Sequence, residues 1–274
     1  MNNIEIEQLS NRIYNFLARH RTEISEIASH ASNVFEAACF VIFAIHYEEA
    51  GYRLRPENLL EGRFRFRYST SGYPWNFSYF AVLANEIATE GNAVLFEIRH
   101  NQKVVGAWVD TEGESEDKAL FAVDIAVIET GSLPDLSQGH KRTNEPYWVE
   151  NDRLITFAEA KKLTAYPMLL AQFLGIVHEI KPEFLRVGKQ EIPEMFWSQS
   201  HPPPTLLTAN HLTQGTKKVL QSFEERQLVI RVVENVIGSP EEILLCRLRG
   251  VDEQEAFDQD EESREVEMPE TGVI

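Results

Sequence analysis

Two short apolar runs constrain this chain more than any other feature, because each carries a carboxylate where a strand interior should be dry. One is "FAVDIAVI", residues 121–128, with Asp124 at its middle; the other is "RLITFAEAKKL", residues 153–163, which passes abruptly from apolar residues into Glu159, Lys161 and Lys162. Short runs rich in β-branched and aromatic residues read as strands. Side chains alternate along a strand, so Ile155, Phe157, Glu159 and Lys161 share one face and deliver a carboxylate and an ammonium side by side. Asp124 shares its face with Ala122 and Ala126, while Phe121, Val123, Ile125 and Val127 take the other. An unpaired carboxylate there costs several kcal/mol, and its small neighbours leave room for a partner.

Acid-x-lysine is a weak pattern by itself. It also occurs at Glu116 to Lys118, in a charged stretch, and at Glu179 to Lys181, just past a helical stretch; only the copy at Glu159 ends an apolar strand. Two partners answer for Asp124. Asp124 and Lys161 can form a buried ion pair. Alternatively Asp124 and Glu159, from adjacent strands, can supply hard oxygen ligands to a divalent cation such as magnesium, water completing the shell. Lys161 beside that shell can orient or deprotonate an attacking water, or stabilise charge developing on a phosphate.

The rest of the chain supplies a frame for these strands. Ile4, Ile6, Leu9, Ile13, Leu17 and Ile24 recur at helical spacing, and a second, buried helix is expected from about Asn33 to Gly51. In "GRFRFRY" Phe64, Phe66 and Tyr68 alternate with Arg63, Arg65 and Arg67, a strand whose basic face is either solvated or meets phosphate. "AVLFEIRHN" and "KVVGAWVD" read as two strands paired across a tight turn at His100 to Gln102. A third strand covers "ALFAVDIAVIE". A long aperiodic segment, 130–152, then precedes the strand ending at Lys161. A helix follows over "TAYPMLLAQFLGIVHEI", a strand at "FLRVGK", and a strand, helix and strand from Pro204 to Asn235. The expectation is an α/β chain: a mixed central sheet flanked by helices, one domain over residues 1–250 and a separate tail.

That tail carries much of the charge. Of the formal −17, residues 251–274 contribute −9, from ten acids against one base, which leaves −8 for the body. So acidic and apolar-poor a stretch is expected to be disordered. The body's mild acidity weakens the objection that an acidic protein avoids a phosphate backbone. Cys39 and Cys246 lie far apart in apolar segments, and no CxxC or Cys/His cluster suggests zinc or a disulfide framework. The run 34–45 contains Glu36 and falls short of the roughly 18 to 20 residues a bilayer span needs, so no membrane partner is expected. The first residues lack a basic stretch followed by an apolar one, so a cytoplasmic location is expected. GxSxG, Walker, GxGxxG and HExxH patterns are missing, which speaks against nucleotide-triphosphate hydrolysis and dinucleotide redox chemistry.

Asp124 followed by Glu159-x-Lys161 on neighbouring strands, a helix holding Gln172 directly after, and a helix bearing Glu36 upstream together resemble the PD-(D/E)xK nuclease superfamily, over roughly residues 31–190. The resemblance implies a restriction-endonuclease-like core and cleavage of phosphodiester bonds, of DNA in the first instance, with magnesium or manganese. It implies Asp124 and Glu159 as metal ligands and Lys161 as the catalytic lysine. Glu36 matches the acid of the first core helix, and Gln172 the polar residue that approaches the scissile strand. Each also has a plainer reading: Glu36 as the third residue of a capping box begun by Asn33, Gln172 as a polar position on a half-exposed helix, His178 as a helix-surface histidine. His140, Lys141 and Arg142 fall in the long segment, either solvated or touching a nucleic-acid backbone. Bacterial restriction or anti-phage defence is the setting the resemblance suggests, and a homodimer or larger complex is compatible with it. The alternative is a nuclease-fold protein that binds or regulates without cutting.

Overall fold

Helix α1, Asn3–Arg19, starts where Asn2 and Glu5 satisfy each other's backbone N–H groups in a capping box. The computed structural model describes residues 2–24, 30–84, 93–108, 118–133, 148–186, 196 and 199–237, all within one compact unit. His140, Lys141, Arg142, Cys246 and the acidic tail lie outside the described residues. After the two-residue strand β1 (Glu23–Ile24) comes α2, Ala31–Glu49. Its N-cap is His30 without a side-chain bond, so Asn33 does not begin the helix and Glu36 sits in the second turn, free of capping. Its end follows expectation. Gly51 takes φ 91°, and the Gly51 and Tyr52 N–H groups bond back to the Glu48 and Tyr47 carbonyls, the double bond that closes a helix through a left-handed residue.

Seven strands then build a mixed open sheet: β2 (Arg53–Glu57), β4 (Tyr79–Leu83), β5 (Val94–Val105), β6 (Leu120–Glu129), β7 (Leu154–Lys161), β8 (Thr205–Thr208) and β9 (Arg231–Val233), in that spatial order. The pairs from β2 to β7 are antiparallel. Those from β7 to β9 are parallel, joined through α3 (Pro167–Ile180) and α4 (Gln214–Glu225). Strand β3 (Arg63–Phe64) lies outside this sheet and pairs in parallel with β1. Helix α2 covers one face of the sheet, where Tyr47 meets Phe96 and Phe40 meets His100. By alternation Ala126 and Phe157 point to the other face, where they pack with Leu170, Phe173 and Val177 of α3.

Three expectations from the sequence change. Val94–Val105 is one strand, with no turn at His100 to Gln102. Asn101 takes φ 50°, a left-handed conformation that asparagine tolerates, and this bends the strand without reversing it. His100 still faces Ile125 and Gln102 still faces Val123, so the register with β6 is unbroken across the bend. Beyond it the β5–β6 ribbon leans onto the C-terminal end of α3: Ala107 N–H donates to the Glu179 carbonyl at 2.8 Å, and Val104 and Val123 join the core under that helix. Gly106 is required there, since a Cβ would come within 2.9 Å of the Phe121 ring.

The stretch "FLRVGK" does not open as a strand; Pro182 starts a 3-10 turn over Pro182–Leu185, as its fixed φ and missing N–H favour. Nor do the three arginines after Gly62 share an exposed face. Phe64 and Phe66 are buried and Arg63 and Arg65 exposed, but Arg67 turns inward, donating to Gln102 Oε1 at 3.1 Å and to the carbonyls of Thr70 and Gly72. Burial pushes its pKa down to about 10.

His100 is enclosed by Phe40, Phe66 and Tyr68, and neither ring nitrogen has a hydrogen-bond partner. Burial, and then the charge of Arg67, push its pKa from 6.5 down to about 3. Below pH 6.5 the unfolded chain therefore takes up a proton that the folded one refuses, and stability falls as pH drops towards 3. His100→Phe is expected to flatten this part of the stability curve. Urea unfolding at neutral and mildly acidic pH checks it; an identical acid loss in both proteins would assign the effect elsewhere.

Candidate functional site

The site arises where two strands part. β6 pairs with β7 as far as Ile125 opposite Ala158. Beyond that rung β6 stays with β5 (Ala122 opposite Lys103), while β7 stays with β8 (Glu159 opposite Leu206, Lys161 opposite Thr208). The parting strands form a fork with Asp124 on one prong and Glu159 and Lys161 on the other, and the left-handed Asn101 of β5 lies at the rung of Asp124. The lost rung is replaced by a side chain: Ala160 N–H donates to Asp124 Oδ2 at 2.8 Å.

Lys161 Nζ donates to Asp124 Oδ2 at 3.2 Å and lies 2.7 Å from Glu159 Oε2. The side chains are graded in depth, Glu159 being 5% exposed, Asp124 17% and Lys161 34%, so the ammonium stands at the rim. The Asp124–Lys161 ion pair anticipated as one reading therefore forms, and Glu159 joins it. Glu36 approaches from α2, and Asn101 Nδ2 lies 3.5 Å from its Oε2. The same amide donates to the Arg67 carbonyl at 2.8 Å.

One ammonium does not balance this many acids. Burial, and then the charge of Asp124, raise the Glu159 pKa to about 7 despite Lys161, and its Oε1 is buried with no hydrogen-bond partner. Burial and then Asp124 also raise Glu36. Burial alone would lower Lys161, but the charges of Glu159 and Asp124 outweigh it and hold the ammonium above the ordinary lysine range. Cys39, wholly buried on α2, feels the same field; burial and then Asp124 and Glu36 push its thiol well up. A desolvated notch with surplus negative charge and an orphaned carboxylate oxygen is electrostatically suited to a cation. Among the described residues no group of three or more His, Cys, Asp and Glu side chains is drawn together for a metal. Asp124 and Glu159 are the two carboxylates that line this notch directly, and magnesium usually takes one or two carboxylates from protein.

The other candidates stand apart. Gln172 is on the exposed side of α3, with no hydrogen bond to Asp124, Glu159 or Lys161 among the described residues. His178 is a surface residue, stacked on Trp108 at 5.2 Å between ring centroids and 3.0 Å from Glu179 Oε1. Asn101 was hidden in the sequence, because an asparagine between two apolar runs signals a hairpin turn and a mid-strand left-handed bend equally well. Comparison with protein-family models, with curated protein sequences and with solved structures finds no match.

Proposed function

We propose that the chain is a metal-dependent nuclease that hydrolyses phosphodiester bonds of DNA, with magnesium or manganese held by Asp124 and Glu159. The observation that carries the reading is the fork: two carboxylates from neighbouring strands around one rim ammonium, with a buried oxygen of Glu159 left over. A restriction-endonuclease-like core over roughly residues 31–190, with an extra N-terminal helix and a C-terminal strand, helix and strand, belongs to the same proposal, as does a setting in restriction or anti-phage defence.

A divalent cation in the fork would neutralise a phosphate and supply a nucleophilic water at neutral pH. The chain's own residues prepare the site for it. Asp124, tied to Ala160 N–H, and Glu159, enclosed by the sheet, offer oxygens that cannot swing away. Lys161 is kept protonated by its two neighbours, so its role is to donate to a phosphate oxygen or to the attacking water rather than to abstract a proton. Glu36 adds to the negative field from α2. Gln172, and the His140, Lys141 and Arg142 segment, are proposed contacts of the substrate strand.

Plasmid incubated with the full chain and Mg2+ tests the reading: nicking or linearisation that EDTA abolishes is expected, whereas DNA and RNA left intact would count against it. One observation favours the second reading, a nuclease-fold binding subunit that does not cut. Lys161 already bridges both carboxylates, which a purely structural ion pair also explains.

Proton and metal compete for Glu159, whose pKa is raised from 4.5 to about 7. Below that value the folded protein holds a proton there which a cation must displace. The rise in melting temperature on adding Mg2+ is therefore expected to be larger at mildly alkaline than at mildly acidic pH. Scanning calorimetry at the two conditions checks it, and equal shifts would remove Glu159 from the ligand set.

A further inference from the structure

We propose that Asn101 is a positioning residue of the fork: its left-handed backbone sets the bend that separates β6 from β7, and its amide holds the Glu36 carboxylate at the opening. The consequence for metal binding rests on the nuclease reading above; the positioning of Glu36 does not.

The backbone half of the role follows from register. Asn101 lies where the partner of Asp124 on β5 would be, between the pairs His100 with Ile125 and Gln102 with Val123. With φ 50° at that point the strand bends, and β6, still paired on both sides of the bend, turns with it away from β7. A non-glycine residue with positive φ inside a strand is costly and persists where its surroundings fix it, often at functional sites. Asparagine is among the few side chains that adopt this region readily. The side-chain half follows from the donor count. An amide nitrogen carries two hydrogens. One goes to the Arg67 carbonyl at 2.8 Å, which anchors the group, and Glu36 Oε2 lies 3.5 Å from the same nitrogen, at the long end of hydrogen-bond range. Asn101 is itself buried, so water is a poor substitute for its amide. Arg67, turned inward, is thereby explained: its carbonyl fixes the amide while its guanidinium bonds Gln102, the next residue along β5.

Three variants of the full chain separate the two halves. Asn101→Gly keeps access to positive φ but lacks the amide; Asn101→Val opposes the backbone conformation; Glu36→Ala removes the acceptor. Asn101→Val is expected to unfold at clearly lower temperature than Asn101→Gly. The melting-temperature changes of Asn101→Gly and Glu36→Ala, whatever the sign of each, are expected not to add when combined, because both remove the same contact. Titration calorimetry with Mn2+ alone reads the functional consequence: outer-shell changes of this kind weaken metal binding by about 10-fold or more, and Asn101→Gly is expected to do so while remaining folded. Strict additivity, or Asn101→Val as stable as Asn101→Gly, overturns the proposal. Unchanged Mn2+ affinity in Asn101→Gly overturns its bearing on metal binding. If the wild-type chain itself binds no Mn2+, the nuclease reading falls, and the thermal data alone decide whether Asn101 holds Glu36.

Discussion

Lys161→Met is expected to destabilise the metal-free protein by about 3 kcal/mol at mildly alkaline pH, the lower end of the range for breaking a buried pair, because part of the lysine side chain is already solvated. The loss comes from what stays behind. Asp124 and Glu159 keep each other's company without a cation, and Glu159 is almost wholly enclosed. Its pKa, already raised to about 7, climbs further, so the penalty is fullest where the acid must ionise. As pH falls through that value Glu159 takes a proton and most of the stability returns. The sign follows from linkage: a carboxylate whose folded pKa lies above its unfolded value destabilises the fold as pH rises from 4.5. Adding Glu159→Gln to Lys161→Met is expected to recover stability at every pH. Urea midpoints for the single and double variants at two pH values measure this, and a pH-independent loss would place the lysine's contribution in packing.

The second large effect concerns activity. Asp124→Asn and Lys161→Ala are each expected to lower Mg2+-dependent DNA cleavage by at least about 100-fold, the scale of losing a preorganised charge at the reacting phosphate. Asp124→Asn separates the enzyme from its rivals. Asn retains a carbonyl oxygen for the Ala160 N–H and relieves the repulsion on Glu159, so the metal-free variant should be at least as stable as wild type while cutting poorly. If Asp124 served only as half of a structural ion pair, the same substitution would lower the melting temperature. Full cleavage by a folded Asp124→Asn variant would end the nuclease reading.

How far the sequence disclosed these features depended on whether local pattern and tertiary setting agreed. The strands bearing Asp124 and Glu159 were legible because their period and apolarity match a buried sheet, and the helix after Lys161 because its spacing matches a helix packed on that sheet. The convergence of their charged ends depends on Asn101, whose residue type suits a turn as well as a bend, and only long-range pairing with β6 selects the bend. Arg67 was misread for a similar reason. Strict alternation holds only inside a sheet, and β3 has just two residues, so past Phe64 the chain is free to send an arginine inward to Gln102. Asn33 looked like a helix start, yet α2 begins earlier at a residue with no capping bond, because burial of its apolar side outweighs the local cap. Asn101 lies outside the acid and lysine pattern altogether, which is why a motif alone did not find it.

β2 forms one margin of the seven-strand sheet, and its sequence, Arg53-Leu54-Arg55-Pro56-Glu57, limits what can adhere there. Pro56 offers no N–H to an incoming strand, only Leu54 is buried, and Arg55 pairs with Glu57 along the strand. A strand of another molecule laid along β2 would find a donor missing at Pro56 and a row of charged side chains, so stacking through this margin is disfavoured.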